Sequence, residues 1–155
     1  MSADADADSQ VRGGTGHRRR RAARRLALDV LFQADVTGAP PGDVLRSWRE
    51  AGREVPDYAR DIVEGVERDG AAIDAQLGAH SEEWTVPRMA TVDRTILRVA
   101  VYELRSGVPD AVAINEAVEA AKELSTEASG RFVNGVLGRI AREGGGETGG
   151  TGDGT

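Results

Sequence analysis

"RRRRAARRLALDVLFQADVT" (residues 18–37) sets six arginines within eight positions and runs without a break into apolar residues. Ala23, Leu26, Ala27, Val30, Leu31 and Ala34 recur every three or four residues, the period of an α-helix, and Gly38, Ala39, Pro40 and Pro41 end it. The same period returns in every later apolar segment. Val44, Leu45 and Trp48 share one side of a short helix over residues 43–51, closed by Gly52. Pro56 and Asp57 start a stripe of Ala59, Ile62, Val63, Val66, Ile73 and Leu77 that reaches His80, with Gly70 as the point where it divides. A further helix begins around Pro87 and runs through Val92, Ile96, Val99, Ala100 and Leu104 to the stop signals Gly107 and Pro109. Ile114, Ala117, Val118, Ala121 and Leu124 mark the next, and Val133, Val136, Leu137 and Ile140 the last. No run of strict alternation interrupts them, so the spacing predicts an all-α fold, a compact bundle with short connections. Gly135 and Gly138 lie inside the last helix, where each costs roughly 1 kcal/mol relative to alanine. Close packing of that helix against a small face is the favoured compensation, with flexibility of the helix end as the alternative.

The chain has 155 residues, one domain's worth, and its ends contribute no core. Residues 143–155 hold seven glycines, three acids and no apolar side chain, and cannot offset the entropy of ordering. Composition therefore divides the chain into a disordered N-terminal extension (1–17), a folded domain (18–142) and a disordered Gly-rich acidic tail (143–155). Cysteine is absent, and the two histidines, His17 and His80, are far apart in sequence, so neither disulfides nor a metal site are expected. Asp29, Gln33 and Asp35 interrupt the apolar run after the arginines, which suits an amphipathic helix and spoils a secretion signal. No stretch approaches a membrane span, so a soluble cytoplasmic protein is the expectation.

Catalysis lacks its parts. There is no phosphate-cradling glycine loop, Ser125, Thr126 and Ser129 have no neighbouring histidine, and Glu64, Glu67, Glu82, Glu83, Glu116 and Glu119 read as solvated helical faces or loops. No enzyme activity and no cofactor are expected.

Charge is the informative asymmetry. Net charge is −6, yet residues 17–25 carry +6 while residues 26–142 carry −7. A preference for arginine over lysine explains the residue type but not the clustering. At roughly 100° per residue, Arg18, Arg21 and Arg25 fall on one stripe continued by Leu28 and Phe32, turned away from the core line of Leu26, Val30 and Ala34. Guanidinium forks beside an aromatic face suit single-stranded RNA, whose phosphates and unstacked bases they match. The plainer alternative makes Phe32 the rim of the core and the arginines a solvated helix start. Positive charge in the first turns opposes the helix macrodipole, so the cluster is locally unfavourable and an anionic ligand would relieve it.

Three stretches set in order, the arginine-rich first helix, "VDRTILRVAVYEL" (92–104) and "VAINEAVEAAKELSTEASGRFVNGVLGRI" (112–140), resemble the NusB family of bacterial transcription antitermination factors over roughly residues 18–142. The resemblance implies two small helical bundles and an adaptor that pairs with the ribosomal protein NusE. The pair binds single-stranded boxA RNA in nascent transcripts, including ribosomal RNA leaders, and helps assemble an antitermination complex on RNA polymerase. By the same resemblance, Arg18, Arg19, Arg20, Arg21, Arg24 and Arg25 match the family's RNA-contacting segment and Phe32 its first-helix aromatic. Phe132, in "FVNG", matches a base-contacting position with Arg131 beside it, and Asp93 matches an acidic position associated with the protein partner. Ala128 stands where some relatives carry an acid that tunes RNA affinity. Some members of the family pair with themselves, so a homodimer that buries the RNA face is among the implied partners.

Two other classes compete. NusB-like domains occur fused to RNA cytosine methyltransferases, but the parallel sheet and catalytic cysteine that such an enzyme needs have no counterpart in this sequence. A helix-turn-helix DNA regulator would carry its basic residues on a second helix after a tight turn, whereas here they precede the first.

Overall fold

A computed structural model describes the backbone of residues 2–153 and the side chains of residues 16–144. The chain forms α1 (Ser2–Thr37), α2 (Pro41–Glu50), α3 (Asp57–Arg68), α4 (Gly70–His80), α5 (Thr91–Arg105), α6 (Asp110–Leu124) and α7 (Glu127–Asp153), with a 3-10 turn at Val86–Arg88. No strand occurs among the described residues, as the helical spacing predicts, and none of their helices is long and apolar enough to cross a membrane. The N-terminal extension and the Gly-rich tail fall for the most part on residues 1–15 and 145–155, whose side chains lie outside the described residues.

Two bundles meet along α5. α1, α2 and α3 pack together on one side, α6 and α7 pair on the other, and α5 contacts α1, α3, α4, α6 and α7. The core is aliphatic: Val30, Ile62, Val63, Ile73, Leu77, Leu97, Val101, Val133, Val136 and Leu137 are fully buried. Proline and glycine set its punctuation. Pro40, Pro56 and Pro109 hold extended backbone immediately before α2, α3 and α6. Gly107, at φ 93°, closes α5 by letting the Val108 amide return to the Glu103 carbonyl at 3.0 Å. Gly70 does divide the third apolar stripe, with α3 ending at Arg68 and α4 beginning at Gly70.

The structure corrects five expectations. α1 begins at Ser2 rather than at Arg18, so residues 18–25 lie well inside the helix and not in its first turns. α5 starts at Thr91 rather than around Pro87, because Met89 and Ala90 are extended, with Met89 driven into the core. Arg94 Nη1 then donates to the carbonyls of Val86 at 3.1 Å and Pro87 at 3.4 Å, which the helix would otherwise have used. Leu28 is buried rather than outward, since α1 is covered by α5 as well as by α2 and α3, so its apolar arc is wider than one stripe. Glu116 is buried rather than on a solvated face, for reasons given below. Finally, Gly135 and Gly138 are not sites of close helix packing. A Cβ at either would meet only guanidinium nitrogens of its own helix, Arg139 at 3.5 Å and Arg142 at 3.3 Å. The close approach is at Gly65, where a Cβ would stand 2.0 Å from the Tyr102 ring.

These environments set opposite outcomes for one substitution. Gly65→Ala forces the Tyr102 ring out of place and costs on the order of 1–3 kcal/mol, whereas Gly135→Ala meets Arg139 only at ordinary contact distance and gains up to about 1 kcal/mol of helix propensity. Urea unfolding of the two variants checks this; equal effects would remove the packing argument.

Candidate nucleic-acid interface

The arginines of α1 do not behave as one patch. Arg24 is 6% exposed and enters the interior, where its Nε donates to both Glu103 carboxylate oxygens at 3.0 and 2.8 Å. Glu103, on α5, is 1% exposed and also accepts a hydrogen bond from the Tyr58 hydroxyl of α3. Burial and then this hydrogen bond push the Tyr58 hydroxyl up to about 12, so it remains a donor throughout the ordinary pH range. The Tyr58 ring lies beneath the guanidiniums of Arg20 and Arg24, at 5.1 and 5.7 Å from its centroid.

Arg21 and Arg25 turn to α6. Arg21 grips Glu116 with two hydrogen bonds, Nε at 3.2 Å and Nη2 at 3.0 Å, and His17 Nε2 stands 3.4 Å from the same carboxylate. This explains why Glu116 can be buried. Burial alone would raise its carboxyl, but the hydrogen bond and charge of Arg21, aided by Arg24 and His17, outweigh it and hold the group below the usual carboxylate range. Arg25 Nη2 meets Glu123 at 2.5 Å, a pair with most of the Glu123 side chain in solvent. Among the described residues, no carboxylate pairs with Arg18, Arg19 or Arg20, all of which are exposed.

Between α1, α5 and α6 these groups rim a cleft of about 670 Å³, with Leu28, Ile96, Val99, Ala100, Ala117 and Ala120 on its floor. Leu28 and Ile96 also line an adjoining cleft of about 200 Å³, which holds Phe32 and Leu124. Phe32, 40% exposed, therefore continues the arginine face as the helical stripe predicts. Arg131 and Phe132 lie one turn into α7 and line neither cleft; Arg131 is exposed, and Phe132 is half-buried against the core. Lys122 links the two regions, lining the larger cleft while its stem covers Gly130, where a Cβ would meet Lys122 Cγ at 2.9 Å.

Asp93 is 8% exposed at the start of α5. Its Oδ2 accepts from the Ser129 hydroxyl at 3.2 Å, and Ser129 is bonded in turn to Ser125 at 2.9 Å and Thr126 at 3.2 Å. The carboxylate thus braces the turn between α6 and α7, while its Oδ1 is buried without a partner among the described residues. Glu103, Glu116, Glu123, Tyr58 and Lys122 are not among the site residues that the sequence suggests. Nothing in a single sequence marks a carboxylate whose arginine lies 79 to 98 positions away.

Two stability measurements follow. Arg24→Ala strands Glu103 in the core and costs about 3–5 kcal/mol, whereas Arg19→Ala changes unfolding by no more than about 0.5 kcal/mol. Burial raises the Asp93 carboxyl, against the opposing Ser129 hydrogen bond. A folded pKa above the unfolded one stabilises the native state fully below the unfolded value and loses that contribution as pH rises through the folded value. Asp93→Asn keeps an acceptor for Ser129 without the charge. Its stability relative to the parent is expected to be greatest at neutral pH and to decline as the pH falls towards about 4. A constant difference across that range would show that the Asp93 charge is not opposed by its surroundings.

A family model described as the NusB family matches residues 21–142. The transcription antitermination protein NusB of Salinispora tropica is 49% identical over 128 residues, 79% of this chain and 94% of the relative. T. maritima NusB superimposes with a TM-score of 0.70 at 34% identity, covering 80% of this chain and 91% of the other. A structure of antitermination factors NusB and NusE in complex with double-stranded RNA matches with a TM-score of 0.70 at 30% identity, covering 81% of this chain and 98% of the other. The matched span runs from the arginine that grips Glu116 to residue 142 of α7, so sequence and fold agree over both bundles and the cleft between them: the chain belongs to the NusB family.

Proposed function

We propose that this protein is a cytoplasmic adaptor without a reaction of its own, which binds single-stranded boxA RNA in nascent ribosomal RNA transcripts as a heterodimer with NusE. The heterodimer helps assemble an antitermination complex on RNA polymerase. The carrying observation is the exposed face of α1, where Arg18, Arg19 and Arg20 have no carboxylate among the described residues and Phe32 stands open farther along the same helix. Unmatched guanidiniums attract phosphate from any sequence, and an open aromatic ring offers a stacking surface to a splayed base. Arg21 and Arg25 extend the phosphate track along the cleft. Arg24 supports the track from beneath by fixing α1 on α5. Arg131 and Phe132 supply a second contact region at the start of α7, and Asp93 acts in partner recognition through the turn that it braces.

The related NusB–NusE structure contains double-stranded RNA, so a duplex belongs in the test. A titration compares boxA-like RNA, scrambled RNA and duplex RNA, with and without NusE. Tightest binding to boxA RNA in the presence of NusE is expected, and equal affinity for all three would overturn the reading. Arg18→Ala with Arg19→Ala should weaken every RNA and reduce the salt slope by about one for each phosphate left without its arginine. Phe32→Ala or Phe132→Ala should cost about 1–3 kcal/mol with the slope unchanged, once folding has been verified by circular dichroism.

A further inference from the structure

We infer that Glu123 sets the affinity of the arginine face for RNA: its carboxylate occupies Arg25 in the free protein and must be exchanged for an RNA phosphate on binding. The inference rests on the RNA reading above. Its starting point is a division among the basic residues of one helix. Arg24 is fixed in the interior by Glu103, and Arg18, Arg19 and Arg20 are exposed; Arg21 and Arg25 are held by acids of α6 at the rim of the cleft. A guanidinium fork that holds a carboxylate presents the same donors that a phosphate would take, so the two anions compete for it.

The two pairs differ in how readily they exchange. The Glu116 side chain is only 7% exposed, and removing Arg21 would leave a buried carboxylate with Arg24 Nη1 at 4.0 Å and the His17 imidazole as its remaining neighbours. In the other pair, side-chain exposure is 37% for Arg25 and 66% for Glu123, so a released Glu123 returns to water at little cost. Arg25 is therefore the exchangeable position. Glu119 and Glu127 line the same cleft and add to the negative charge that an incoming strand must displace.

The consequence is a lower affinity for every RNA. An open arginine contributes the same counterion release to any nucleic acid. An arginine already neutralised contributes less, because binding phosphate ejects a carboxylate that was itself a partner. Sequence-independent affinity falls, while recognition of bases is untouched. RNA whose bases fit the aromatic positions still binds after that reduction, and RNA held by phosphate attraction alone binds weakly, although the ratio of the two affinities is unchanged.

Glu123→Gln tests this, using the full chain with NusE and salt titrations against boxA-like and scrambled RNA. The variant should bind scrambled RNA about two- to fivefold more tightly, the worth of one exposed ion pair, with a salt slope steeper by up to about one. Affinity for boxA RNA should rise by the same factor, so the ratio between the two stays constant. In an Arg25→Ala background the same substitution should have no effect. An unchanged slope and affinity in Glu123→Gln would overturn the inference, as would an equal gain in the Arg25→Ala background, which would mark a general loss of negative charge. If the parent protein fails to distinguish boxA from scrambled RNA, the RNA reading itself fails; the slope and the Arg25-dependence still report the exchange separately.

Discussion

Arg24 carries a full charge into a largely aliphatic interior, and the geometry of both bundles depends on how that charge is met. Glu103 answers from α5, Tyr58 from α3 and, at 4.0 Å, Glu116 from α6. One guanidinium thus makes simultaneous demands on four helices. Taking such a pair out of water costs several kcal/mol per ion, so its net stabilisation is small or negative relative to an apolar substitute. Its effect is on register. Sliding α1 by one residue along α5 would leave both charges buried and unmatched, a penalty that no aliphatic packing could offset, whereas a slip between aliphatic side chains forfeits only dispersion. Lysine could not replace Arg24 here, because a compact ammonium cannot place one nitrogen between both Glu103 oxygens while laying a planar cation over the Tyr58 ring.

Fixing α1 in this way determines what its other arginines can do. Because α1 begins at Ser2, the arginines lie well inside the helix and escape the macrodipole penalty that the sequence suggests; what an anion would relieve is their mutual repulsion. The fold supplies much of that relief internally, since Glu103, Glu116 and Glu123 take three of the cluster's guanidiniums. Self-neutralisation follows the depth of each residue: complete for Arg24, strong for Arg21, exchangeable for Arg25 and absent among the described residues for Arg18 and Arg19. A basic run that is uniform in sequence becomes graded in space.

That grading marks the limit of what the sequence shows. Apolar period, proline starts and glycine stops are local properties, and they locate every helix, including the division at Gly70. They also place Phe32 outward, because one outward position on a helix needs no knowledge of what packs elsewhere. Leu28, one turn earlier on the same stripe, is buried because α5 covers that part of α1, a neighbour that periodicity does not reveal. Glu116 looks like any other acid on a helix until Arg21 is brought to it from 95 positions away. Gly135 and Gly65 make the same point from backbone: both are glycines within helices, yet only Gly65 faces an aromatic ring.

The acids of α6 and the core carboxylate of α5 then perform related electrostatic work in different dielectrics. Inside, Glu103 meets Arg24 where neither ion can return to water, and the interaction holds position. At the rim, Glu123 meets Arg25 where both can be solvated, and screening reduces the same attraction to a weak preference. A phosphate entering the cleft therefore encounters one arginine that it cannot move and another that it can take. Since the difference comes from burial rather than residue type, α1 can serve as a rigid strut of the core and as an adaptable ligand surface along a single run of sequence.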